Sequence, residues 1–178
     1  EKEFLNKCKK FENFDLLITS GGVSRGRYDI VKKSLKKIGL KILFEKVAIK
    51  PGKPTTFGKF SKNKFFLGLP GNPVSCFMSM INFFPIFINS FYGLKLSNFA
   101  TKKFISKSLI ERNKDLTSFY RVITKKNYFE VCKNQDSSLL NTLNISDGLI
   151  IRKPYQNQIL PGQEVEILLF ENLKKEQI

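Results

Sequence analysis

From Phe65 to Leu94 the chain carries no charged residue, although charged side chains make up 26% of it. So apolar a stretch has to leave water, and its internal punctuation limits how it can do so. A strand-length run ends in the turn Leu69-Pro70-Gly71-Asn72-Pro73, and Pro73–Tyr92 then stays apolar for long enough to span a bilayer. Asn82, Pro85, Asn89 and several Ser interrupt that run. The pattern predicts a buried helix that follows a strand and a tight turn inside an α/β domain, rather than a transmembrane span. Asn72 suits the N-cap of this helix and Pro73 its first helical position.

The segments on either side extend that reading. Residues 2–12 look helical, and Asp15–Thr19 (DLLIT) is a short apolar run of the kind found in buried parallel strands. Ser20-Gly21-Gly22 breaks the strand. Tyr28–Ile38 returns to helical spacing, with Ile30, Val31, Leu35 and Ile38 on one face and lysines on the other, and Gly39 ends it. Leu40–Ile49 reads as one further strand, Lys50–Pro54 (KPGKP) as a loop, and Thr55–Lys59 and Lys64–Gly68 as short strands. This alternation predicts a layered α/β domain over residues 1–97. Beyond Asn98 the grammar changes to short β-like runs at Lys103–Leu109, Phe119–Thr124, Tyr128–Cys132, Gly148–Ile151 and Glu164–Phe170, with a helical turn or two in 137–145. Residues 98–178 are therefore expected to form a small β-rich domain, a barrel or a sandwich.

Composition removes several classes of chemistry. There is no His, and Cys8, Cys76 and Cys132 lie far apart, which excludes the usual zinc sites, Cys–His dyads and Ser–His–Asp triads. Scattered cysteines, odd in number, read as reduced thiols in a cytoplasmic protein. The net charge is +16, from 31 Lys and Arg against 15 Asp and Glu. Only five of those cations are Arg, the better fork for phosphates and bases, and no nucleic-acid-binding motif accompanies them. Neither nucleic acid nor membrane is the expected partner. Residues 1–95 carry +12 of the net charge, which suits an anionic ligand in the half that holds the glycine-rich loops.

Three motifs could carry chemistry. Thr19–Asp29 (TSGGVSRGRYD) leads from a strand through Ser20, Gly21, Gly22 and Ser24 toward a helix, presenting bare amides suited to a phosphate. Asp29 could hold Mg²⁺ or a polar ligand group there, or simply favour the helix dipole. In Ile49–Pro54 two prolines and a glycine stiffen the loop that bears Lys50 and Lys53. These lysines form either a trap for a small dianion or a solvated turn. In Gly68–Ser75 (GLPGNPVS), Ser75 lies in the first helical turn, where its hydroxyl and amide would face an anion or serve the cap alone.

In this order and spacing, SGGVSRGRYD, KPGKP and GLPGNPVS resemble the molybdopterin molybdenumtransferase family, relatives of the gephyrin E domain. FYRV (Phe119–Val122), DSSLLNTLNISDGLI (Asp136–Ile150) and LPGQEVEILL (Leu160–Leu169) look like that family's C-terminal β-barrel domain. The resemblance implies molybdenum insertion into adenylylated molybdopterin with release of AMP, assisted by Mg²⁺, in a cytoplasmic homodimer. It implies that Ser20, Gly21, Gly22, Ser24, Asp29, Gly71, Asn72 and Pro73 line the pterin–nucleotide pocket, with Asp29 the metal ligand. Molybdate would meet Lys50, Lys53, Pro54, Ser75, Arg121 and Ser137 or Ser138, and Asp29 and Lys53 would be the catalytic pair. Arg25 and Arg27 depart from the family's smaller or acidic residues in the first loop. The family's α/β domain also begins upstream, with a strand and a Thr-Gly-Asp-Glu-type loop, so this domain is expected to be incomplete at its N-terminus. Other readings are a non-catalytic interaction module of the same fold and the neighbouring adenylylation of molybdopterin; intact site motifs and the attached β-domain weigh against them.

Overall fold

The structure is a computed structural model that describes residues 4, 6–8, 13–22, 30–94, 101–136, 138 and 140–171. Its chain divides into two compact units, Glu1–Val47 with Gly52–Ile81, and Ala48–Pro51 with Asn82–Ile178.

The first unit is built on a four-stranded sheet of β1 (Leu16–Ser20), β2 (Lys41–Glu45), β4 (Thr56–Ser61) and β5 (Lys64–Leu69) in the order β1-β5-β4-β2. β1 and β5 are parallel, and the other neighbours antiparallel. Helix α1 (Ile30–Lys37) lays its apolar stripe on one sheet face, where Leu35, Leu40 and Phe66 form a buried cluster flanked by Leu17, Val31, Ile38, Ile42 and Phe60. Gly39, at φ +98°, ends α1 as expected. Lys32 bridges from α1 to Glu45 at the end of β2, 3.1 Å away. Of the helix expected over 2–12, Phe4 and residues 6–8 are described and are helical.

The single strand expected over Leu40–Ile49 is in fact two. β2 stops at Glu45, and Lys46 takes φ +64°, a left-handed conformation that no strand continues through. The chain then enters β3 (Ile49–Lys50), which pairs in parallel with β7 (Thr117–Lys125) in the second unit's sheet. Apolar residues lie on both sides of the Glu45-Lys46 pair, and a charged pair is equally at home in an exposed strand, so it does not by itself mark the change of sheet.

In the second unit β6 (Thr101–Ser106), β7 (Thr117–Lys125), β8 (Tyr128–Val131), β9 (Gly148–Arg152) and β10 (Glu164–Leu169) follow the order β7-β8-β6-β10-β9, and β9 pairs back onto β7. The result is a closed five-stranded barrel. Phe104, Ile110, Val122, Phe129, Ile150, Ile167 and Leu169 fill it. Closure removes the free strand edges that so short a sheet would expose. A short helix, α3 (Leu140–Asn144), precedes β9.

Helix α2 (Pro73–Tyr92) forms where the uncharged stretch predicts it. Its burial is less complete than expected. Val74, Ser75, Met78 and Ser79 are buried, but beyond Met80 only Phe87 is, while Ile86 and Tyr92 are exposed. By length and composition alone α2 is apolar enough to cross a membrane, with a mean hydropathy of 1.5. Pro73–Ile81 belongs to the first unit and Asn82–Tyr92 to the second.

Candidate anion-binding site

β1 and β5 run in register from Leu16 opposite Phe65 to Ser20 opposite Leu69, so their carboxyl ends finish together. Open α/β sheets take their ligands at that end. Two turns leave it side by side. The Gly21 amide donates to Leu69 O at 2.9 Å, and Gly21 and Gly22 take φ +83° and +68°. A Cβ on Gly21 would stand 3.6 Å from Gly71 Cα, and one on Gly71 would stand 3.4 Å from Gly21 Cα. The Ser-Gly-Gly turn and the Pro-Gly-Asn-Pro turn therefore approach backbone to backbone, with no Cβ between Gly21 and Gly71.

α2 begins directly after this contact. Asn72 Oδ1 accepts the Ser75 amide at 3.1 Å, and Asn72 O accepts the Cys76 amide at 2.8 Å. Asn72 is thus the N-cap anticipated from sequence, with Pro73 at the first helical position. The first turn contains no acidic side chain to neutralise the positive end of the helix dipole.

The Ile49–Pro54 motif is held just as firmly. Gly52 O accepts both the Thr55 amide, at 3.0 Å, and Thr55 Oγ1, at 2.7 Å. Lys53 O accepts the Val47 amide at 2.9 Å, and Thr56 Oγ1 donates to Pro54 O at 3.2 Å. Lys53 projects from this fixed turn and is exposed. Lys50 lies in β3, also exposed, and the peptide bond that follows it, to Pro51, is cis.

Ser20, Gly21, Gly22, Lys53, Pro54, Gly71, Asn72, Pro73 and Ser75 all belong to the first unit; Lys50, Arg121 and Ser138 belong to the second. Ser24, Asp29 and Ser137 lie outside the described residues, as do Arg25 and Arg27.

Arg121, on β7, is almost fully buried, and burial pulls its guanidinium below the ordinary arginine range. Its Nε donates to Gln135 Oε1 at 3.4 Å and its Nη2 to Asp136 O at 3.1 Å. Gln135 also accepts the Arg121 amide and donates to the carbonyls of Arg121 and Cys132. The guanidinium is thus anchored under the 132–136 segment. Sequence reasoning missed Gln135, and a glutamine in a polar loop offers no signal that would have found it. Next to it, Asp136 accepts the Ser138 amide at 2.8 Å, a bond that holds its carboxyl below the usual carboxylate range. Burial raises the neighbouring Cys132 thiol above its ordinary value. A cavity of about 400 Å³ elsewhere in this unit, lined by Lys102, Phe104, Thr124 and Asp147 among others, contains none of the residues singled out from sequence.

Among the described residues no group of three or more His, Cys, Asp or Glu could hold a metal ion. The described strand ends and α2 start carry amides and hydroxyls, while Asp29, the residue expected to meet Mg²⁺, lies outside the described residues.

The first unit is thus a layered α/β domain in which two turns meet at the strand ends, and the chain carries a β-barrel unit as well. Comparison narrows the class. The family described as “Probable molybdopterin binding domain” matches residues 1–89, and “MoeA C-terminal region (domain IV)” matches residues 105–170. The chain belongs to the molybdopterin molybdenumtransferase family and corresponds to its C-terminal part. It is 36% identical over 168 residues to the molybdopterin molybdenumtransferase of Haemophilus influenzae, covering 89% of this chain and 40% of that protein. It is 52% identical over 69 residues to the molybdenum cofactor synthesis protein cinnamon of Drosophila melanogaster, covering 39% of this chain and 11% of the relative. The fold is similar to a molybdopterin biosynthesis MoeA protein from Pyrococcus horikoshii, with a TM-score of 0.68 at 24% identity, covering 95% of this chain and 40% of the other. The chain thus spans well under half the length of these three proteins.

Proposed function

We propose that this chain supplies part of the site at which molybdenum enters adenylylated molybdopterin, with release of AMP, in the last step of molybdenum cofactor synthesis. The observation that carries the reading is the close approach of Gly21 and Gly71, which brings the Ser20–Gly22 turn against the capped start of α2 at the carboxyl ends of two parallel strands. In the reaction water cleaves the phosphoanhydride between the pterin phosphate and AMP, AMP departs, and molybdate gives up oxygen as water, taking the dithiol protons, as its molybdenum binds the two dithiolene sulfurs. The Ser20–Gly22 turn and the α2 start hold phosphoryl oxygens through amide donors, which stabilise charge without reorganising during the reaction. Ser75 donates from the first helical turn, and Lys53 supplies a fixed cation to molybdate, with Pro54 shaping the turn.

The reading includes a homodimer as the working form, and Mg²⁺ with Asp29 as a ligand. The relatives' names supply the chemistry; the strand-end geometry of this chain supports it.

The test is molybdate-dependent AMP release by the full-length native protein, with Lys53→Ala as the probe. The ammonium is exposed and holds up no core, so the variant should keep its melting temperature while its apparent molybdate affinity falls roughly tenfold or more, as expected for one lost charge-assisted contact. An unchanged molybdate dependence would sink the assigned role.

A further inference from the structure

Ser75 and Ser79 stand four residues apart on one face of α2, and both are buried, Ser79 completely. Ser79 Oγ meets Thr55 Oγ1 at 2.7 Å, and Thr55 is equally inaccessible. Thr55 Oγ1 also lies 2.7 Å from Gly52 O, a carbonyl that can only accept. A hydroxyl carries one proton. Because Thr55 gives its own to Gly52 O, Ser79 must donate to Thr55, and the chain of bonds has one direction, from α2 through Thr55 to the backbone beside Lys53. A hydrogen-bond pair this deep has no water to exchange with, so it resists local opening.

We propose that Ser79 and Thr55 are positioning residues for the anion site. Their relay ties the turn that carries Lys53 to the helix whose first turn carries Ser75, so that ammonium, hydroxyl and helix amides are held as one body before a ligand arrives. Neither side chain touches the ligand; the effect works through Gly52 and Lys53. Pre-organisation of this kind lowers the ordering that binding would otherwise demand. The inference rests on the molybdate reading above and adds two residues to it.

The experiment compares Thr55→Val, Ser79→Ala, the double variant, Thr55→Ser and Lys53→Ala in the full-length protein. Three quantities are read: melting temperature, molybdate binding by titration calorimetry, and hydrogen exchange at the Val47 amide, whose acceptor is Lys53 O. Thr55→Val strands the Ser79 hydroxyl and should melt early. The double variant removes both partners and should recover most of that loss. Molybdate affinity should nevertheless stay weakened in the double variant, by roughly five- to tenfold, the size of one lost hydrogen bond. Val47 exchange should be faster in it, and Thr55→Ser should restore both. Parental molybdate affinity or parental Val47 exchange in the double variant would overturn the proposal, and Ser79→Ala gives the same reading with a smaller change of volume. If Lys53→Ala weakens binding but the double variant does not, the relay alone is wrong. If Lys53→Ala changes nothing, the anion-site reading fails and takes the relay's role with it.

Discussion

A methyl group on Gly22 would have to share space with Val31 Cγ2, 2.4 Å from the position of its Cβ, on a backbone held at φ +68°. Gly39 shares the left-handed backbone, at φ +98°, but nothing lies within 4 Å of its would-be Cβ. The pair separates two costs that usually arrive together. Gly39→Ala should lose only the conformational penalty, about 1 kcal/mol, whereas Gly22→Ala must also displace α1 or its Val31 and should lose roughly 2–4 kcal/mol. Thermal unfolding of the two variants checks the ordering. Equal losses would show that Val31 yields freely and that backbone conformation alone calls for glycine in the first loop. Lys53 shows the opposite logic: fully replaceable for folding, it is expected to matter only when an anion is present.

At the level of the element, α2 couples structure to function through its N-cap. Asn72 satisfies the Ser75 amide, and asparagine and aspartate cap about equally well, the latter gaining from the helix dipole. Asn72→Asp should therefore preserve or slightly raise the melting temperature while placing a negative charge where phosphoryl oxygens are proposed to bind. Ligand affinity should fall by an order of magnitude or more at low salt, and the loss should shrink as salt screens the repulsion. A variant that binds as tightly as the parent would place the anion elsewhere. The elements also show what the sequence disclosed. The cap at Asn72, the stop at Gly39 and the helix over Pro73–Tyr92 were legible because each is a local rule, set by residues within a turn of one another. The break at Lys46 was not, since a lysine at φ +64° has no signature and the acceptors of this segment, Thr55 O for the Lys46 amide and Lys53 O for the Val47 amide, are brought by tertiary structure. The glycine contact between the first and third motifs was equally hidden: both glycines were read as turn residues, and that they touch is a property of parallel strands ending in register. Arg121 was legible as a candidate, but its anchoring by Gln135 was not.

On the scale of the whole molecule, the barrel depends on its seams, because five short strands with one small core tolerate no open edge. The β9–β10 seam is the tightest point. Leu168 pairs with Leu149 and Leu169 with Gly148, and the Phe170 amide continues the ladder to Asp147 O at 2.9 Å. A Cβ on Gly148 would come within 2.4 Å of Leu168 O and 2.9 Å of Ile167 Cγ2, so the clash is with backbone that cannot rotate aside. Ile167 is itself fully buried in the barrel core. Gly148→Ala should therefore separate the two strands rather than strain one side chain, at a cost of roughly 2–4 kcal/mol. The Phe170 amide should lose its protection against hydrogen exchange before amides of the β7–β8 pairing, which lie in a different seam. Gly162→Ala is the control: its φ of +88° carries strain, but no atom lies within 4 Å of its Cβ, so its melting temperature should drop less and the seam should stay protected. Should both variants lose protection evenly around the barrel, closure would be a property of the whole ring and not of the seam at Gly148.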